Sequence, residues 1–188
     1  MDFDRPADEV APDLLGWFLT AGGLSGRIVE VEAYERRGDA ASHSFRGQTD
    51  RNRSMFGPSG CLYVYRIYGM HWCANVVCGV DGHGAAVLIR ALEPVDGLRE
   101  MAENRGVVEA NLRQLCSGPG KLCQALGITG AHDGNRLLDL SGTVSLSRPD
   151  PGPVRAVLTG PRVGISKSVD LPWRFALAES DFLSRPIT

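Results

Sequence analysis

The chain has 188 residues, 43% hydrophobic and 22% charged, which excludes a disordered chain and fits one domain with a true core. No run approaches the roughly 20 apolar residues that cross a bilayer: the best stretch, around Leu14 to Leu24, is broken by Gly16, Gly22 and Gly23, so no membrane partner is expected. A net charge of −2 argues against a broadly basic nucleic-acid binder, which leaves a local patch as the route to such a partner.

In chain order, Asp8 to Thr20 reads as a short amphipathic helix ended by Gly22-Gly23, with Pro12 in its first turns. Arg27 to Tyr34 alternates as a strand, with Ile28, Glu30, Glu32 and Tyr34 on one face and Val29, Val31 and Ala33 on the other. Residues 35 to 60 are polar, aperiodic and rich in Gly, Ser and Arg; a connection this long is more often functional than idle. Cys61 to Tyr68 and Met70 to Cys78 read as two strands of a hairpin with Tyr68 at the tip. After the Asp81–Gly84 turn, Ala85 to Leu92 suits a buried strand interrupted by Arg90. Pro94 to Asn104 reads as a helix with Asp96 as its N-cap and Gly106 beyond its end, and Lys121 to Leu126 as the body of another. Short strands are expected at Thr143–Leu146, Val154–Leu158 and Trp173–Leu177. Strands and helices do not alternate regularly, so the fold class is α+β in a single domain, residues 1–188.

Cys61, Cys73, Cys78, Cys116 and Cys123 form no CxxC pair, and the acidic N-terminus lacks a basic n-region. Both point to a reducing, cytoplasmic location (nucleoid-associated in a bacterium) rather than to a secreted disulfide scaffold. His71, Cys73 and Cys78 lack the tight ligand pairs of structural zinc sites, and no metal is expected.

Glu32 is the first candidate for chemistry. Alternation alone makes it an ordinary carboxylate on an exposed strand face, and Arg90 carries the same ambiguity. If the two meet, the arginine keeps the carboxylate ionised, as a general base requires. Tyr65 and Tyr68 have opposite strand parity, so one of them is exposed; an exposed tyrosine at a hairpin tip can wedge into a duplex. Arg36, Arg37, Arg46, Arg51, Arg53 and Arg66 supply positive charge nearby. Gly118-Pro119-Gly120-Lys121 fails the nucleotide-triphosphatase phosphate-loop pattern, yet a helix start with a lysine suits a DNA phosphate. Only two lysines occur, Lys121 and Lys167, which favours a water nucleophile over a Schiff base.

The segments Gly26–Tyr34, Arg51–Phe56, Leu62–Met70, Leu88–Pro94 and Leu115–Leu126 resemble, in order, the alkyladenine (3-methyladenine, methylpurine) DNA glycosylases of the mammalian type. That resemblance implies a curved, mostly antiparallel sheet with flanking helices and a protruding hairpin, no metal and no cofactor. It implies a monomer acting on double-stranded DNA that contains damaged purines. By the same likeness Glu32 activates a water held also by Arg90 and the Val163 carbonyl, and Tyr34, His43 and Tyr65 sandwich the extruded base. Asn75 would crowd a guanine's exocyclic amine, Tyr68 would fill the gap left in the stack, and Met70, Arg51, Arg53, Gly120 and Lys121 would meet DNA. The chain departs from the family pattern at Asp50, His71 and Gly120. Two other readings use the same residues: a catalytically silent module that binds damaged DNA, and a small nucleotide or nucleoside hydrolase without a DNA partner. Binding alone does not need Glu32 with Arg90, and a nucleoside hydrolase does not need Tyr68.

Overall fold

The computed structural model describes residues 1–108, 111–148 and 155–187. Its elements are α1 (Ala7–Leu14), β1 (Phe18–Ala21), β2 (Leu24–Tyr34), β3 (Leu62–Ile67), β4 (His71–Cys78), β5 (Ala85–Asp96), α2 (Leu98–Arg105), α3 (Leu112–Cys116), α4 (Pro119–Ala125), β6 (Val144–Ser147), β7 (Val157–Gly160) and β8 (Arg174–Leu177). Short 3-10 helices cover Asp50–Phe56 and Gly130–His132. The strands form one curled antiparallel sheet in the order β3-β4-β5-β2-β1-β6, with β8 joining β2 and β7 joining β8. This is an α+β domain with a protruding hairpin. No helix among the described residues is long and apolar enough to cross a membrane.

β2 organises the molecule. One edge pairs with β5 along its length, while the other is shared by β1 near Leu24–Arg27 and β8 at Glu30–Glu32. One side of the sheet carries Val31, Ala33, Leu62, Val64, Val87 and Ile89 into the main apolar core, which α1, α2, α3 and α4 complete. The other side carries Tyr63, Val77 and Ala86 with Met55 and Phe56 from the 3-10 segment.

The structure corrects four expectations. The first helix stops at Leu14, and Phe18–Ala21 is a strand. Gly16 takes φ +86° and turns the chain, and Gly22-Gly23, both left-handed, make the two-residue loop of a β1–β2 hairpin rather than a helix end. Ile28 and Val29 exchange the faces expected of them: Ile28 packs with Val31 and Ala33, while Val29 joins Ala91, Ala176 and Leu177. Register shifts between Ile28 and Val31 break the alternation there. The helix expected from Pro94 begins at Leu98, because β5 runs on to Asp96; Pro94 sits at another register shift, and Asp96 accepts a 2.6 Å hydrogen bond from Ser25 instead of capping. The strand expected from Val154 begins at Val157 among the described residues; Val154 itself lies outside them. The β3–β4 hairpin forms as expected, with Tyr68 and Gly69 both at positive φ in its turn, and Gly106 ends α2 in the left-handed conformation.

Candidate active site and DNA face

Antiparallel register builds the site. Tyr63 lies opposite Asn75, Asn75 opposite Leu88, and Leu88 opposite Glu32, so the four form one row across β3, β4, β5 and β2. Outer strands of such a row lie roughly 14 Å apart, three spacings of about 4.8 Å, before the sheet curls. Side chains reaching inward from both ends of the row enclose a slot. A cavity of about 210 Å³ occupies that position, lined by Tyr34, His43, Tyr65, Asn75, Arg90 and Val163 together with Tyr63 and Cys73.

Glu32 lies behind this lining, fully buried. Its Oε1 accepts the Val163 N–H at 2.6 Å, and its Oε2 accepts the Tyr34 hydroxyl at 2.8 Å and Arg90 Nη1 at 3.3 Å. The Val163 group that touches Glu32 is thus its N–H. Burial raises the Glu32 pKa; Arg90, the Val163 N–H and the Tyr34 hydroxyl oppose that, and Glu30 adds to it. The net direction is upward. Arg90 does meet Glu32, but desolvation outweighs it, leaving a carboxylate more basic than usual.

The aromatic residues divide between the two ends of the slot. His43 meets Tyr65 edge to face at 4.4 Å between centroids, and its Nδ1 is 3.1 Å from the Tyr63 hydroxyl, so His43 and Tyr65 make a single wall. Desolvation and the Arg51 charge push the His43 pKa down, which leaves it neutral near pH 7. Burial pushes the phenols of Tyr34, Tyr63 and Tyr65 up. Asn75 donates from Nδ2 to the Tyr63 carbonyl at 3.0 Å, which fixes its amide plane.

The residues expected at DNA lie apart from the cavity. Tyr68 is 84% exposed and Met70 65%, at the hairpin tip. Arg51 Nη2 donates to the Arg66 carbonyl at 2.9 Å, tying the 3-10 segment to β3. Arg53 pairs with Asp50 at 2.7 Å, so this acid partly neutralises the arginine beside it. Gly120 and Lys121 open α4; a Cβ on Gly120 would lie 3.0 Å from the His71 Cβ, so the small residue accommodates the histidine.

Several buried residues had no signal in the pattern. Arg162 and Asp39 form a fully buried bidentate pair at 2.6 and 2.7 Å, and the Arg162 guanidinium lies 4.6 Å from the Tyr34 ring centroid. Arg162 also donates to the Ala33 carbonyl at 2.9 Å, which anchors the loop that presents Val163. Both residues sit in aperiodic segments, where alternation says nothing. Glu30 shared the Glu32 face in the sequence but had no partner assigned; it meets Arg90, Arg174 and Ser184.

Residues 1–181 match the family model described as Methylpurine-DNA glycosylase (MPG). A Rhodopseudomonas palustris (strain BisB18) protein is 54% identical over 188 residues, covering 98% of this chain and 88% of the relative. A Nitrosospira multiformis protein is 52% identical, covering 99% and 93%, and a Burkholderia lata protein 49% identical, covering 99% and 90%. All three relatives bear the name "Putative 3-methyladenine DNA glycosylase". The chain belongs to the methylpurine-DNA glycosylase family, hydrolases that cut the N-glycosidic bond between a base and DNA.

Proposed function

We propose that the protein is a monofunctional glycosylase that flips damaged purines out of duplex DNA and releases them by attack of a water activated by Glu32. The observation that carries this is a buried carboxylate, more basic than usual, held by Arg90, Tyr34 and the Val163 N–H behind an aromatic-lined cavity of about 210 Å³.

A base in the stack is out of reach, and extruding it costs a few kcal/mol. Stacking on an aromatic ring returns about 1–3 kcal/mol per base. Tyr34 on one side, with His43 and Tyr65 on the other, receives the base, while Tyr68 fills the gap it leaves and Met70 enters beside it. Arg51, Arg53 and the Gly120–Lys121 start of α4 meet the sugar-phosphate backbone. In the chemical step the bond from C1′ to the purine nitrogen breaks and its electron pair leaves with the base. The water oxygen bonds to C1′, and Glu32 takes the water's proton while its charge stabilises the oxocarbenium-like sugar. The products are a free purine and an abasic site.

A 3- or 7-alkylated purine is cationic and departs neutral without a proton donor. Hypoxanthine needs one, and the cavity side chains are poorly suited: His43 is driven neutral, and the phenols and Cys73 hold their protons. 3-Methyladenine and 7-methylguanine are therefore the preferred substrates and hypoxanthine a slower one. Asn75, its amide fixed, crowds the exocyclic amine that guanine and 7-methylguanine share; the cationic 7-methylguanine departs readily enough to offset this, and undamaged guanine does not.

Glu32→Gln is expected to keep binding to lesion-bearing duplexes and to lose base release by about 10²–10⁴-fold. The assay is release from duplexes carrying 3-methyladenine, 7-methylguanine or hypoxanthine, scored as alkali-labile sites. Because burial raises the Glu32 pKa, wild-type release climbs with pH along a limb lying above the usual carboxylate range. Retained turnover in Glu32→Gln removes Glu32 from this role.

A further inference from the structure

Among the described residues Arg90 makes three side-chain bonds, and only the longest reaches Glu32. Nη1 donates to Glu32 at 3.3 Å, whereas Nε donates to Glu30 at 3.1 Å and Nη2 to the Ser184 hydroxyl at 3.2 Å. Ser184 is bound to the same carboxylate: its Oγ donates to Glu30 Oε1 at 2.8 Å and its N–H to Oε2 at 2.5 Å. Arg174 completes the set, giving Nε to Glu30 at 2.7 Å and Nη2 to the Arg185 carbonyl at 2.5 Å. The segment around Ser184 thus closes a triangle with Glu30 and Arg90, joining residues 154 positions apart. Ser184 lies beyond the residues that match the family model.

We propose that Ser184, acting with Glu30, is a positioning residue that decides how firmly Arg90 engages Glu32. The inference rests on the reading of Glu32 as the base. The Ser184 hydroxyl both satisfies Glu30 and gives Arg90 Nη2 an acceptor. Without it, Glu30 draws Arg90 toward itself and away from Glu32. Without the Glu30 charge, Arg90 is free to turn toward Glu32. Glu32 is faced by Glu30 and Tyr34 from β2, Arg90 from β5, Arg174 from β8, and Arg162 with Asp39 beside Tyr34. Of these, Arg90 alone bonds both acids, so a small displacement of its guanidinium moves charge from one to the other.

The two substitutions therefore act in opposite directions. In single-turnover release from a 7-methylguanine duplex, Ser184→Ala should move the acid limb of the rate profile up by about one pH unit. Its alkaline plateau should survive. Glu30→Gln should move the limb down. Ser184→Thr keeps the hydroxyl and should restore the wild-type limb. A merely structural role lowers the plateau or the melting midpoint without moving the limb, and that result overturns the proposal, as does a shift of both variants in one direction. If Glu30→Gln fails to fold, the Ser184→Ala and Ser184→Thr pair decides alone. Glu32→Gln, assayed alongside, separates the two claims. If it is inactive and the limbs stay still, only the inference fails; if it turns over, the reading of Glu32 fails and takes the inference with it.

Discussion

The two sides of the sheet solve opposite problems with the same strands. On the helix side, Val31, Val87, Ile89 and Leu92 are buried among apolar neighbours, and each contributes free energy in proportion to the area it hides. On the other side, β2, β5 and β8 bury Glu30, Glu32, Arg90 and Arg174, with Arg162 and Asp39 adjacent. Three carboxylates face three guanidiniums there, so the ensemble is neutral, yet buried ion pairs add little over apolar residues of the same volume. On the proposed reading of Glu32 as the base, the charges on that side act on Glu32 rather than on stability. The lesson is that alternation in a strand can separate stability from chemistry residue by residue.

Substitutions can break or sharpen this separation. Arg162→Ala leaves Asp39 buried without its partner, so a loss of about 3–5 kcal/mol in denaturant unfolding is expected, and activity falls too because Arg162 backs Tyr34 and the Val163 loop. Leu92→Ala should cost about 2–5 kcal/mol in the same measurement while leaving release per folded molecule unchanged. Lost chemistry in Leu92→Ala would show that the two sides are not separable. Tyr68→Ala touches neither side. It should slow release from duplex by roughly tenfold, about the free energy of one stacking contact, and spare single-stranded substrate. Equal slowing on both substrates would remove the tip from the flipping step.

Much of this was legible in the sequence because period-two alternation survives where a strand is regular. Glu32 and Tyr34 share a face as expected, and Tyr65 and Tyr68 part company at the hairpin. Alternation failed where the backbone breaks period, at Ile28 and Val29, since a bulge leaves no mark in residue type. It also failed at Gly22-Gly23, which punctuate a helix end and a hairpin equally well. The partners of Glu30 were illegible for another reason: Arg174 and Ser184 come from segments more than 140 residues away, and nothing local marks them as neighbours. Long-range hydrogen bonds to a buried acid become visible only once the sheet is assembled.

Tyr68 holds φ +52° in the hairpin turn, a conformation that glycine adopts freely and a bulky side chain does not. Holding it there costs about 1 kcal/mol or more. Tyr68→Gly should therefore raise the melting midpoint by about 2–4 °C while stripping the tip of its ring. A thermostability selection run without DNA would discard this residue early and return a hardier protein that repairs less.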